Sequence, residues 1–395
     1  IGPGGRRYQP AMIHWPDALD AARFLKDHWQ KSPLVLRGAI PGFRSPLTPD
    51  ELAGLACDMD VESRLVLSDK GDRWRVLHGP FEKQVFADLP EQDWTLLVQD
   101  VDKHLPSTAE LFAHFDFVPT WRLDDLMISY AVPGGSVGPH IDQYDVFLLQ
   151  GLGSRTWQLD GSPKDVSLEP GLELAILENF HPDETVVTHP GDVLYLPPGV
   201  AHHGVGDQES ITVSIGFRAP SVSDLLRTAA RLSAEGDCDE RYGDPDLLVG
   251  ECSGRSISHQ AVERATGLLR IGEIDMTACL GCCVTELKDW LRPEPLETAH
   301  IGSDVHRRLA SDASLVRHGM SRFASASTGN IVYLFVDGNY WRLPEPSVDA
   351  VRSICESAII TAASLGSPGP DDELLEALTA IIGQGSLRWE DQADG

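Results

Sequence analysis

The sequence predicts an all-β barrel or sandwich, followed by a helical region and then a small winged-helix-like domain. Three observations lead there. Between residues 121 and 218, short β-rich runs are separated by Gly, Pro and Asp turns, the texture of a barrel or sandwich. After Pro220 the pattern turns helical. From about residue 300 onward a hairpin is mixed with two helices. At 395 residues the chain exceeds the usual single-domain size, and the boundaries are placed at 1–220, 221–295 and 296–395.

The elements follow in order. Residues 17–29, "DALDAARFLKDHW", have helical spacing, and "PLVLRGAI" (33–40) reads as a strand. "PDELAGLAC" (49–57) is a second short helix, with Asp50 near its positive end. The β-rich runs are "LMISYAV", "DVFLLQG", "RTWQLDG", "DVLYLPP" and "ITVSIGFRA". Helical segments come next at 223–234, 258–271 and 276–291, with the turn-rich "GDCDERYGDPD" between the first two. They are too few to bury their apolar stripes alone, which predicts a homodimer built there. "RPEPLETA" (292–299) reads as a linker. The last segment holds "IVYLFVDGNYWRLP", a hairpin turning at Asp337-Gly338, and helices near 347–361 and 371–383.

Composition narrows the function. The formal charge is −28, which repels nucleic acid and anionic membranes and attracts basic partners. Scarce lysine and abundant Asp/Glu also fit adaptation to a salty cytoplasm. From residue 300, seven arginines face thirteen acidic residues, the wrong sign for a DNA-binding wing. No 18-residue apolar run predicts a membrane span. The N-terminal stretch has no signal-peptide core, and the seven cysteines are odd in number and unevenly placed. Both features predict a cytoplasmic protein with reduced thiols.

The stretch "GPHIDQYDVFLLQG" (138–151) places His140 and Asp142 two apart, on one face if the chain is extended. A third ligand comes from "HPGDVLYLPPGVAHHGVG" (189–206), where a strand and a Pro-Pro-Gly turn precede His202 and His203. Two histidines and a carboxylate make the facial triad of Fe(II) oxygenases, which leaves positions open for 2-oxoglutarate and O₂. Neighbours on an extended chain point opposite ways, so one of the two histidines binds, and His202 is favoured. The far carboxylate of 2-oxoglutarate needs a cation, and Arg155, opening "RTWQLDG", can pair with it through its planar fork. "CLGCC" (279–283) has no second cysteine pair at zinc spacing, so Cys279, Cys282 and Cys283 read as buried helix residues.

The run "WRLDDLMISYAVPGGSVGPHIDQYDVFLLQGLGSRTWQL", with "LPPGVAHHGVG", "SIGFRAP" and the upstream "HGPFE", resembles the bacterial ribosomal oxygenases of the JmjC type, the YcfD/RoxA group. The resemblance is strong over about residues 10–220 and weaker beyond. It implies a double-stranded β-helix of the cupin/JmjC kind, then a helical dimerisation region and a winged-helix domain. It implies an Fe(II)- and 2-oxoglutarate-dependent hydroxylase acting on the β-carbon of an arginine in a large-subunit ribosomal protein, L-sixteen. By motif it carries over His140, Asp142 and His202 as metal ligands and Arg155 as the 2-oxoglutarate partner. Asp125, Met127, Tyr144 and Ser214 fall where that family holds its substrate. The loop between Gly161 and His189 departs from the family pattern. Two other readings stay open: a related oxygenase acting on a basic histidine or lysine, and a metal-binding cupin without turnover.

Overall fold

A computed structural model describes residues 13–16, 19–69, 73–234, 259–268, 274–296, 301–311, 313–366 and 369–392. The chain divides into two compact units, Ile1–Ala219 and Pro220–Gly395.

In the first unit the described strands are β1 (Leu34–Leu36), β2 (Ser63–Asp69), β3 (Arg73–His78), β4 (Trp94–Val98), β5 (Leu123–Ala131), β6 (His140–Ile141), β7 (Asp145–Leu152), β8 (Arg155–Asp160), β9 (Glu184–Thr188), β10 (Val193–Leu196), β11 (Ala201–Gly206) and β12 (Ser210–Phe217). Eight pair in the order β1-β10-β7-β12-β5-β4-β2-β3, and four in the order β6-β11-β8-β9. All these pairings are antiparallel. This is the double-stranded β-helix that the resemblance implied.

Strand alternation gives the large sheet two faces. One face, with Leu126, Ile128, Tyr130, Val213, Ile215 and Phe217, packs with Phe24, Leu52 and Phe115 in the main core. The other turns toward the four-stranded sheet. There Val146, Leu148, Leu194 and Leu196 meet Trp157, Leu159 and Val186 in a smaller core. The same strands therefore carry a core face and an inner face.

Several predicted boundaries shift for local reasons. The first helix runs Ala21–Asp27 because the Asp20 carboxylate accepts from the Arg23 N–H and sets its start. Residues 17 and 18 of that prediction lie outside the described residues. The strand at 33–40 stops at Leu36, since Gly38 turns the chain at φ +56°. The second helix, Pro49–Leu55, starts at a capping box between Thr48 and Glu51. Strands β2, β3, β4 and β9 carry no sequence prediction. In β3 the exposed Arg73 and Arg75 hide the strand pattern.

The second unit contains helices Val222–Ala234, His259–Leu268, Met276–Thr285, Ile301–Ala310, Val348–Glu356 and Asp372–Gly383. Its hairpin is β13 (Ile331–Val336) and β14 (Asn339–Pro344), and Asp337 and Gly338 both have positive φ, as the turn chemistry requires. The helix expected over 276–291 ends at Thr285. There the Thr285 hydroxyl donates to the Gly281 carbonyl and accepts from the Gly338 N–H, tying the helix end to the hairpin. Cys279, Cys282 and Cys283 are buried in this helix outside any disulfide, and Cys282 packs with Tyr333 and Phe335. The turn-rich 236–246 stretch and residues 297–299 of the expected linker lie outside the described residues. No described helix is long and apolar enough to cross a membrane.

Candidate active site

Between the two sheets lies a cavity of about 260 Å³. At one part of its wall His140 and His202 are direct cross-strand partners of β6 and β11. Their ring centroids are 4.2 Å apart. Asp142 follows β6 without belonging to it, so a strand face alone does not aim it. Its Oδ2 nonetheless lies 3.9 Å from Nε2 of His140 and 3.6 Å from Nε2 of His202. Among the described residues this is the one group of three potential ligand atoms so close together, all within 4.8 Å.

The second ring nitrogens fix the arrangement. Nδ1 of His140 is 2.9 Å from the Gly138 carbonyl, and Nδ1 of His202 is 3.1 Å from that of Val200. A carbonyl can only accept, so each Nδ1 carries the proton and each Nε2 presents a lone pair to the cluster. Burial, reinforced by the neighbouring His140, holds His202 well below the usual imidazole range. Burial also raises the Asp142 carboxyl, while His140, a Tyr144 hydrogen bond and Arg64 pull it down. The donor set, two neutral imidazoles and one carboxylate, suits an octahedral divalent ion. His203 points the other way, toward Phe180, and burial holds it down to about 4.

Arg155 enters from β8 and is 3% exposed. Its Nη1 donates to Ser129 Oγ at 3.2 Å and Thr212 Oγ1 at 3.5 Å, and Nη2 to the Gly204 carbonyl at 3.4 Å. The guanidinium lies over the Trp157 ring at 5.0 Å. A Cβ at Gly204 would collide with that same ring, so glycine is required there. Nε is buried without a partner, and no carboxylate pairs with Arg155 among the described residues. Burial lowers its pKa to about 10. A buried cation without a counter-charge at a cavity wall is a receptor for an anion.

The remaining predicted residues form rungs across β5 and β12. Met127 faces Ser214, and both line the cavity. Ser129 faces Thr212 one rung nearer Arg155. Asp125 is one rung the other way, beside Gly216 and Tyr144 rather than on the cavity wall. Burial, then the charge of Asp124, raises its carboxyl to about 7. Tyr144 is on the wall beside Asp142, whose carboxyl it helps pull down. At about 3.4 Å per residue, Asp125 and Ser129 stand about 14 Å apart along the strand.

Sequence reasoning missed Ser129, Thr212 and Gly204, the partners of Arg155, and Arg64, Thr95 and Gln99 on the far wall. A signal existed for the first two: "DLMIS" and "TVSIG" place polar or small residues at alternate positions of apolar strands. The divergent loop also contributes Leu174, Ala175 and Ile176 to the cavity.

Fold and site together define a JmjC domain, and residues 110–225 match that domain family. Over 382 residues the chain is 33% identical to the ribosomal protein uL16 3-hydroxylase of Escherichia coli K12, covering 96% of this chain and 98% of that protein. It is 39% identical over 241 residues to a probable ribosomal oxygenase of Haemophilus influenzae, covering 60% and 57% of the two chains. The solved structure of E. coli ycfD matches with a TM-score of 0.79 at 33% identity, over 96% of this chain and all of that one. E. coli YcfD, described as a ribosomal oxygenase in complex with cobalt and 2-oxoglutarate, matches at 0.76. The chain belongs to the JmjC ribosomal oxygenase family.

Proposed function

We propose that the chain is an Fe(II)- and 2-oxoglutarate-dependent oxygenase that hydroxylates the β-carbon of one arginine in the ribosomal protein uL16. One observation carries the reading. A single cavity joins a converging His-Asp-His cluster to a buried arginine without a counter-charge. A metal site for structure or storage needs no such cation.

In this reading His140, Asp142 and His202 hold the iron, and Arg155 holds the far carboxylate of 2-oxoglutarate. The chemistry a bound iron supplies is activation of O₂ at the expense of 2-oxoglutarate, which leaves as succinate and CO₂ while one oxygen enters an unactivated C–H bond. The chain's own part is placement. The carbonyls of Gly138 and Val200 lock the two imidazoles. Ser129, Thr212 and Gly204 orient the Arg155 fork. Asp125 receives the substrate guanidinium and Tyr144 packs along its stem, with Met127 and Ser214 between them and the cosubstrate end. Holding one carbon close to the oxidant and excluding competing groups is the protein's main contribution.

The measurement is succinate release with and without a uL16 peptide containing the arginine, together with a +16 Da shift on that arginine. Peptide-stimulated succinate and a β-carbon shift are expected. Peptide-independent succinate with no shift would sink the substrate, and no succinate at all would sink the oxygenase.

The reading extends to the whole chain as a cytoplasmic homodimer, with a catalytic domain at 1–220, a dimerisation region at 221–295 and a winged-helix-like domain at 296–395. Exposed apolar side chains support the middle assignment: Val222, Leu226, Val262, Met276, Leu280 and Trp290 all fall within 221–295. Light scattering on the full chain at micromolar concentration should give the mass of a dimer, and a monomer mass would overturn the assignment.

A further inference from the structure

A second arginine enters the cavity, and neither the ligand cluster nor Arg155 accounts for it. Arg64 sits on β2 opposite Leu97 of β4, which sits opposite Ser129 of β5. Cross-strand partners share a face, so Arg64 stands on the same rung as the Ser129 hydroxyl that binds Arg155. Strand spacing puts it about 10 Å away from Ser129 across the sheet. Its side chain lines the cavity, and its Nε is buried without a partner. Among the described residues its guanidinium makes no hydrogen bond or ion pair. One rung deeper, Thr95 is fully buried, lines the same wall and has an unpaired Oγ1. Arg64 lies close enough to Asp142 to pull its carboxyl down. A metal on Asp142 would occupy that carboxylate and leave Arg64 without compensation.

Buried polar groups are almost always paired. An unpaired guanidinium nitrogen and an unpaired hydroxyl on one wall therefore mark a place for an acceptor, and the positive charge asks for an anion. Arg155 already answers for one carboxylate, at the opposite wall.

We propose that Arg64 is a second carboxylate-binding residue of the cosubstrate pocket, holding the 2-oxo acid end beside Asp142 while Arg155 holds the distal carboxylate. The inference rests on the oxygenase reading above. It makes the cavity a two-arginine clamp in which each cation meets a different end of one dicarboxylate. Thr95 closes the deep side of that end as a further donor.

The test is equilibrium binding to the manganese-loaded full chain, by calorimetry without turnover, with two probes: 2-oxoglutarate and its distal amide, 2-oxoglutaramate. Arg64→Gln should weaken both probes by the same factor, about 10- to 100-fold, the usual range for a charged hydrogen bond. Arg155→Gln should weaken 2-oxoglutarate alone, because the amide has already lost the distal charge. Arg64→Lys, which keeps the cation, should stay within about fivefold of wild type. Manganese affinity should be unchanged in Arg64→Gln. Undiminished binding of both probes by Arg64→Gln would overturn the proposal. So would equal losses in the Gln and Lys variants, or a fall in manganese affinity that matches the ligand loss. Failure of the wild-type chain to bind 2-oxoglutarate would instead overturn the oxygenase reading.

Discussion

Arg155→Met separates a residue kept for the fold from one kept for a ligand. Burial drops the arginine from 12.5 to about 10, with no charged partner among the described residues to oppose it. That corresponds to about 3 kcal/mol against the charged form. The sign is simple. The folded value lies below the unfolded one, so the penalty is fully present below pH 10 and is relieved only as pH rises through that value. Against it stand three hydrogen bonds of 3.2, 3.5 and 3.4 Å. All three are long, and together they are worth about 1 kcal/mol. The contact with Trp157 adds about 1 kcal/mol, part of which methionine keeps by packing on the same ring. Thr212 still donates to Gln150 Oε1 in the variant, and Ser129 to the Thr212 carbonyl, so neither hydroxyl is stranded. The balance favours the variant by about 1 kcal/mol, or a Tm about 2–4 °C higher in a unit of this size. Calorimetry on the manganese-loaded chain should then show the reverse with 2-oxoglutarate present. At a hundred times its Kd the ligand adds about 2.7 kcal/mol to wild type and little to the variant. A ligand-free variant destabilised by 2 kcal/mol or more would make Arg155 a structural residue. Equal ligand stabilisation in both proteins would remove it from the cosubstrate site.

Other expectations can be checked as directly. His202→Ala should lower manganese affinity by at least about a hundredfold, whereas His203→Ala, with its ring turned toward Phe180, should bind metal as wild type does; equal losses would undo the choice between them. Asp125→Asn should cost about 2–5 kcal/mol in kcat/KM for an arginine peptide and abolish most of the preference over a lysine analogue. If both proteins treat the two peptides alike, Asp125 is not the anchor. Because burial and the charge of Asp124 push the Asp125 carboxyl up to about 7 in the substrate-free chain, kcat/KM should climb with pH below 7 and level off above it. That limb should be missing in Asp125→Asn, and its persistence would assign the titration elsewhere.

Much of the site was legible because its chemistry is local in sequence. His140 and Asp142 are two apart, and His202 follows a strand and a Pro-Pro-Gly turn. The alternation argument also separated His202 from His203, whose rings do face opposite ways. A shared strand face does not account for Asp142, since that residue follows β6 and is aimed by the turn after it. What stayed hidden was non-local. Arg64 reaches the cavity only because β2 joins the sheet through β4 and β5, and no spacing along the chain announces a neighbour two strands away. The strand β3 was obscured by the exposed Arg73 and Arg75, which alternate with Trp74 and Val76. In the second unit, the early end of the Met276–Thr285 helix depends on a hydrogen bond from Gly338, more than fifty residues downstream.

The two faces of β5 and β12 have a consequence for how this scaffold can change its diet. Residues 126, 128 and 130, with 211, 213, 215 and 217, belong to the main core, while 127, 129, 212 and 214 look into the cavity. Structural duty and chemical duty thus alternate along one backbone, one residue at a time. A substitution at 126, 128 or 130 of β5 is a folding event, and one at 127 or 129 is a dietary one. A lineage could exchange the side chain it oxidises by editing a few odd positions, without negotiating with the core. Insertions are the opposite case. A single extra residue inside either strand would turn the whole row over, sending serines into the core and aliphatics to the iron. Substrate range should drift by replacement in these strands, and length variation should be confined to the loops beyond them.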